Sequence, residues 1–359
     1  MRVGFLAILF CCVSMHATEF LYPVGYHPER NAFYVIYQKS STHLELWEWD
    51  AQTLYAEQLL LSRYTPAGFT FLPDYSGFSF IDNGMLKIKQ SLKRSPRTIE
   101  YNAPLYNVEQ INWIDSRTCY ASGKYQDYFG IFQIDWDGCV YPLVLKEEYD
   151  YLYPQKIDST LFFIERSKEG NCRVASSLYR TQTPQDDFDN SMMVYLEDQP
   201  EIHEVISFNA PLAFLHMVSD KEGFVISYPE NLLKKNHSVP FEYYRIVRSK
   251  EGWEKSLLFT FTIPTSLLAG KDRLYESILP LLPRTCQSGI YYVDSSQTSF
   301  LGIYHHDFET QEKRCLVESK SQHLLGILDH YSGIAYGGQL GGEVEMVEGV
   351  QMHLGHHFG

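Results

Sequence analysis

Apolar and polar positions along the chain follow a unit that returns seven times: an apolar stretch, a short polar turn, then a second apolar stretch. The turn and second stretch read HPERNAFYVIY (27–37), PDYSGFSFI (73–81), IDSRTCYAS (114–122), IDSTLFFIE (157–165), SDKEGFVIS (219–227), PRTCQSGIYYV (283–293) and LDHYSGIAY (328–336). Each turn draws on Asp, Ser, Gly, Asn, Pro or Glu, residues that supply turn geometry. The second stretches begin near Phe33, Phe78, Cys119, Leu161, Phe224, Ile290 and Ile334, spaced 45, 41, 42, 63, 66 and 44 residues apart. Four of these six spacings fall in a narrow band, and the two long ones leave room for insertions.

A third, alternating strand follows several of the hairpins and closes on Asp before a turn, as in LELWEWDAQT (44–53), GIFQIDWDG (130–138) and FLGIYHHDFET (300–310). A fourth short strand comes next: AEQLLL (56–61), CVYPLV (139–144), EVISF (204–208), SLLFTF (256–261) and RCLVES (314–319). Four antiparallel strands in about forty residues predict the blade of a β-propeller. One blade cannot bury its own apolar faces, and packing blades against one another does so while leaving only short edges.

The fold class expected is therefore all-β, with blades over 19–66, 67–104, 105–150, 151–211, 212–274, 275–322 and 323–359. Seven blades is the expected count and six the main competitor, because the last segment either forms its own sheet or completes the first blade. Two unrelated β-sandwiches are the remaining alternative, and they would leave the in-phase repeat unexplained. The tetrapeptides Asn102-Ala103-Pro104-Leu105 and Asn209-Ala210-Pro211-Leu212 occupy the same place in the repeat, which supports its phase. Helical periodicity is confined to short stretches near Pro264–Gly270 and Asp272–Leu279. The polar, acidic insertion after Tyr179 (RTQTPQDDFDN) is expected to stay mobile.

Ahead of the repeat, Met1-Arg2 precedes an unbroken apolar run, Val3 to Val13, and an exit with small residues. That order predicts a signal peptide over 1–17, with cleavage after Ser14 or Ala17. The run is too short to span a bilayer, which takes about twenty residues. Phe10 before Cys11 argues against a lipoprotein site. A single propeller domain over 18–359 is then expected to be exported, periplasmic or extracellular, and monomeric, with no membrane span.

Composition sharpens this picture. Aromatic residues make up 15% of the 359, with 27 Tyr and 22 Phe, types that favour strands. A formal charge of -14 argues against a nucleic-acid partner, which needs a basic stripe to displace phosphate counterions. Five cysteines follow the leader, Cys119, Cys139, Cys172, Cys286 and Cys315, none in CxxC spacing, so buried structural thiols are expected rather than a redox or zinc motif. His305 and His306 are adjacent on a strand and point to opposite faces. The tail histidines His353, His356 and His357 are placed at a floppy terminus. No cofactor, metal or catalytic residue is indicated, since nucleophile-elbow, HExxH, Walker and dinucleotide motifs are all absent.

In these repeats the chain resembles the TolB-like and WD40-like exported bacterial propellers, though it has no clean Trp-Asp ending of WD40 type, only Trp49-Asp50 and Trp136-Asp137. The resemblance covers nearly all of the mature chain. It departs from sialidase-like propellers in having no Asp-box, and it has no YWTD tetrapeptide. It implies a scaffold whose members mostly bind partners, and fold alone does not fix function.

In a propeller the turns joining strands two and three, and those leading from strand four to the next sheet, share one face. Here that face gathers Tyr125, Tyr128, Tyr149, Tyr151 and Tyr153, with Lys124, Asp127 and Arg166 among them. Tyrosine offers rigid apolar area with a polar tip and is enriched at recognition surfaces. These eight residues are the expected binding set, for another exported or envelope protein. Planar rings beside carboxylates (Glu147, Glu148, Asp150) would also suit a glycan, which is the alternative. Loop 228–244, with Lys234, Lys235 and His237, is a further insertion of the kind that contacts partners.

Overall fold

Every second strand of the repeat reads as a continuous apolar run, the pattern of a strand covered on both faces rather than one. The computed structural model bears this out in the second strands whose burial it describes, such as Phe78–Asp82 and Gly289–Asp294. It describes residues 20–348 except 28, 31, 41–42, 51–55, 63–66, 75, 83, 90–96, 181, 183–184, 230–237, 266–282, 286–288, 296–301, 319–323, 331–332 and 339–344. The expected signal peptide, the short helical stretches from 266 onward, Lys234, Lys235, His237, Cys286 and the tail histidines lie outside the described residues.

Among the described residues the strands form seven antiparallel sheets, six of four strands and one of three, each ordered as in the chain. The first holds β1 (Phe20–His27), β2 (Ala32–Ser40), β3 (His43–Asp50) and β4 (Ala56–Ser62). The second holds β5 (Ala67–Phe71), β6 (Phe78–Asp82), β7 (Met85–Lys89) and β8 (Arg97–Thr98). The third holds β9 (Leu105–Trp113), β10 (Thr118–Tyr125), β11 (Tyr128–Asp135) and β12 (Val140–Val144). The fourth holds β13 (Tyr149–Ile157), β14 (Thr160–Ser167), β15 (Cys172–Leu178) and β16 (Ile202–Phe208). The fifth holds β17 (Leu212–Ser219), β18 (Glu222–Ser227), β19 (Ser238–Arg248) and β20 (Trp253–Pro264). The sixth holds β21 (Arg284–Thr285), β22 (Gly289–Asp294), β23 (Gly302–Asp307) and β24 (Lys313–Glu318), and the last β25 (Leu324–His330), β26 (Gly333–Gly338) and β27 (Glu345–Glu348). Each sheet lies in one segment of the sequence repeat, with β13 starting slightly early at Tyr149.

The chain divides into two compact units, Met1–Thr65 with Phe261–Gly359, and Pro66–Thr260. Within the second unit the first strand of each sheet meets the sheet before it: β9 packs on β5 and β7, β13 on β9 and β11, and β17 on β13, β14 and β15. In the first unit, β25 packs against β21 and β1. This is why the middle of each of these second strands is apolar and buried. β6 and β22 are buried at every position, and β14 carries Leu161, Phe162, Phe163 and Ile164 buried in succession on its two faces. Their large side chains leave water on both sides, the arrangement that most rewards apolar area.

The Asp that closes a third strand has a local job. Asp135 Oδ1 accepts from the backbone N–H of Asp137 and of Cys139, both at 2.9 Å, and Asp307 Oδ1 does the same for Glu309 and Thr310 at 2.9 and 2.8 Å. Each carboxylate satisfies turn donors that no ladder reaches. In the first of these turns Gly138 sits at φ +90°, and a Cβ there would fall 1.9 Å from the Glu100 carbonyl oxygen. Only glycine fits such an approach.

One expectation changes. The insertion after Tyr179 is not wholly irregular, because Phe188–Glu197 forms an α-helix, α1. Asp187 is its N-cap, accepting from Asp189 N–H at 3.1 Å, and Asp189 adds a favourable charge in the first turn. Phe188, Ser191 and Tyr195 form its buried stripe. Tyr195 Oη both donates to the Leu145 carbonyl and accepts the Leu145 N–H, each at 2.8 Å, so the helix lies along β12.

Candidate functional site

Three connections of the third and fourth sheets meet at one place. The β10–β11 hairpin turns through Gln126 and Asp127, with Gln126 at φ +55° and the flanking Tyr125 and Tyr128 paired. The β14–β15 turn is closed by Gly170 N–H to the Ser167 carbonyl and by Ser167 N–H to that of Asn171, both 2.9 Å, with Gly170 at φ +94°. Between them runs the link from β12 to β13. Asp150 fastens the group: its Oδ1 accepts from Phe129 N–H at 2.9 Å and its Oδ2 from Arg166 Nη2 at 2.6 Å. Lys168 N–H adds a bond to the Glu148 carbonyl at 3.3 Å. Named bonds thus tie these three connections together.

The eight residues expected to bind do not all reach solvent. Asp127 is exposed, and Lys124, Tyr125, Tyr149 and Arg166 are half-buried. Tyr125 packs against Tyr128 and Phe188, with ring centres 6.2 and 5.6 Å away. Lys124 Nζ lies 5.5 Å over the Tyr106 ring, whose hydroxyl bonds the Gln126 carbonyl. Tyr128, Tyr151 and Tyr153 are buried, so their rings serve packing and offer no surface. Tyr151 meets Phe163 edge-on at 5.4 Å, and burial holds its hydroxyl far above the usual range. Tyr153 stands at φ +55° where the β13–β14 register shifts, its N–H bonded to Gln110 Oε1 and its ring edge-on to Phe214 at 6.0 Å. That bulge breaks the alternation that would have put Tyr149, Tyr151 and Tyr153 on one face.

Beside these turns the fourth sheet carries an open cleft of about 640 Å³, lined by Glu148, Tyr149, Glu165, Lys168, Arg173 and Glu204 among others. Its polar floor follows from register. Tyr151 lies opposite Glu165, Glu165 opposite Arg173 and Arg173 opposite Ser207, so one row of one sheet face holds all four. Arg173 bridges two carboxylates, Nη2 to Glu165 Oε1 at 2.6 Å and Nη1 to Glu204 Oε2 at 3.0 Å, and Ser207 Oγ donates to Glu204 Oε1 at 2.7 Å. Burial pushes the Glu165 carboxyl up, against the pull of Arg173. Ser207 and Arg173 hold that of Glu204 down. Two carboxyls on one guanidinium thus titrate apart. Sequence reasoning missed this row. Its signal was Glu165 ending the apolar run Leu161–Ile164, since a carboxylate in a covered strand needs a partner.

Elsewhere, His305 and His306 are both buried on β23; His305 lies 4.9 Å from the Tyr291 ring, and burial lowers the His306 pKa. Cys119, Cys139 and Cys172 are free thiols, and burial raises the pKa of Cys119 and of Cys172. Among the described residues no group of three His, Cys, Asp or Glu is gathered to hold a metal, and no helix is long and apolar enough to cross a membrane.

No protein-family model matches the sequence, and no curated protein does. Solved structures are similar in fold. A puromycin-hydrolysing peptidase from Mycobacterium tuberculosis matches with a TM-score of 0.61 at 11% identity, over 94% of this chain and 54% of its own. A proposed 6-phosphogluconolactonase from Bacteroides fragilis matches at 0.51 and 10% identity, over 94% of this chain and 92% of its own. TolB from Acinetobacter baumannii is also among them, at 0.46 and 10% identity, over 88% of this chain and 67% of its own. The chain spans about half the length of the peptidase, and at such identities the likeness speaks for fold alone: an all-β chain of four-stranded antiparallel sheets, similar to β-propeller proteins.

Proposed function

We propose that residues 18–359, freed of an N-terminal signal peptide, close into one exported β-propeller, seven-bladed, that binds an envelope or other exported protein through the face carrying the 125–128, 145–149 and 167–171 turns. The observation that carries this reading is the fastening of those turns by Asp150, which holds the hairpin bearing Lys124, Tyr125 and Asp127 against Arg166 and beside a cleft that Tyr149 lines. Binding sites favour loops held by a stiff scaffold, with aromatic and arginine anchors in a partly desolvated setting. Glycan binding is the second reading, favoured by the half-buried Tyr149 ring beside the Glu165–Arg173–Glu204 row.

Crosslinking and pull-down from the native envelope test the first reading. Tyr125→Ala with Tyr149→Ala and Asp127→Lys should lose the co-purified partner while leaving the circular-dichroism spectrum unchanged. Undiminished capture by the triple variant would reject this face. A polysaccharide array reads the second: binding there that the same variant loses, with no protein captured, would replace the first reading by the second.

A further inference from the structure

We propose a second docking surface, on the outer side of α1 and the pocket at its C-terminal end, which takes a basic amphipathic segment of a partner protein. This goes beyond the turn face described above and uses none of its residues.

The helix has two apolar faces where its packing needs one. Phe188, Ser191 and Tyr195 turn inward, yet Met193, Val194 and Leu196 are exposed, Met193 and Leu196 by about three-fifths. Past the end of the helix lies a pocket of about 280 Å³, lined by Tyr141, Leu143, Leu178, Tyr179, Tyr195 and Pro200 among others. Leu178, at the end of β15, is itself 53% exposed on that pocket's wall. A pocket with such walls beside an exposed apolar ridge is the form that receives an anchoring side chain.

Charge selects the segment that brings the anchor. Acids at a helix start are favourable, and Asp187 and Asp189 obey that rule; acids at its end oppose the backbone dipole. The last turn of α1 has no basic residue, and Glu197, Asp198 and Glu201 are all exposed around the pocket's end of the helix. Arg180 Nη1 approaches Asp198 Oδ2 at 3.4 Å and His203 Nδ1 lies 3.8 Å from Glu201 Oε1, exposed pairs that add little stability and that a basic segment can displace. A pocket with apolar and polar walls, its rim carrying exposed acids as well as Arg180 and His203, lies at the negative pole of a helix and complements a segment whose apolar anchor is flanked by Lys or Arg. Such a segment fills the pocket and neutralises the pole together.

The test is fluorescence anisotropy of a labelled synthetic Leu/Lys peptide, its apolar residues at helical spacing, against the purified mature chain. The wild type should bind it with an affinity that falls as salt rises. Met193→Ser with Leu196→Ser should weaken binding roughly tenfold, the effect of losing one or two anchors. Asp198→Asn with Glu201→Gln should weaken it by a similar order and flatten the salt dependence. A Leu/Glu peptide of the same apolar pattern should not bind, and Tyr149→Ala should leave the Leu/Lys affinity unchanged, which separates this surface from the turn face. All four substituted positions are exposed, and the helical dichroism signal reports that α1 persists. Equal affinity of either double variant, or equal binding of the Leu/Glu peptide, would overturn the proposal. So would a dimer in light scattering that Met193→Ser with Leu196→Ser dissolves, since the occupant would then be a second copy.

Discussion

β12 and β20 hold the same place in their sheets, the fourth strand, where one edge of backbone groups has no further strand to pair with. β12 is buried at all five positions, and β20 is exposed or half-exposed along most of its length. The difference comes from α1, which lies along β12 and bonds the residue after it through Tyr195. β20 manages without a cover. It carries Glu254, Lys255 and Ser256 at its start, and Lys255 Nζ donates to the Ser207 carbonyl at 2.6 Å while lying 4.2 Å over the Phe208 ring. A charged, polar edge discourages pairing with another chain, and a helix laid along an edge achieves the same end. Two solutions to one problem therefore coexist: a helix over Val140–Val144, and charged and polar residues at the start of β20.

Removing the cover should break the comparison most visibly. Tyr195→Ala deletes a buried ring and leaves the Leu145 N–H and carbonyl without their partner; the expected cost is about 3–5 kcal/mol in urea unfolding. Hydrogen exchange at Val140 and Val144 should then rise toward that of β20, and unchanged protection would show that β12 does not depend on α1. Asp187→Ala removes only the helix cap and should cost about 1 kcal/mol, with part of the helical dichroism lost.

The cleft of the fourth sheet sharpens the contrast through pH. Glu165 sits above its ordinary value, so the folded chain keeps that proton longer than the unfolded one; its contribution is present below the ordinary glutamate range and lost as pH rises through the folded pKa. Glu204 sits below its ordinary value, so its contribution is present above that range and lost as pH falls. Glu165→Gln should flatten the first slope and Glu204→Gln the second in stability measured from pH 3 to 7, roughly the range spanning the ordinary carboxyl values. Slopes of the same sign for both would contradict the row as described. The smallest effect belongs to Leu257→Ser on the open strand, 50% exposed, which should change stability by less than about 0.5 kcal/mol.

The sheets were legible because their second strands are covered on both sides, and a run such as Leu161–Ile164 has no other use in a short strand. The terminal Asp135 and Asp307 were legible as turn residues for the same local reason. α1 was not, because its inward stripe has a serine at Ser191 while Met193, Val194 and Leu196 put apolar residues on the outward face, blurring any single stripe. Asp187 before Phe188 was the cap signal left unread. The tyrosine set was half legible: sequence gathers the turns that hold Tyr125 and Tyr149, but depth decides that Tyr128 and Tyr151 are core, and the bulge at Tyr153 obeys backbone geometry that no alternation reveals.

The Asp150 side chain serves two sheets at once. One carboxylate engages a backbone donor of the third sheet and a guanidinium of the fourth, so neighbouring turns are immobilised before anything arrives. For the binding proposed above, a landing pad assembled in advance would forfeit little freedom on contact, so that modest contact area would suffice and arrival would be governed by diffusion and long-range charge instead of by a slow remodelling step.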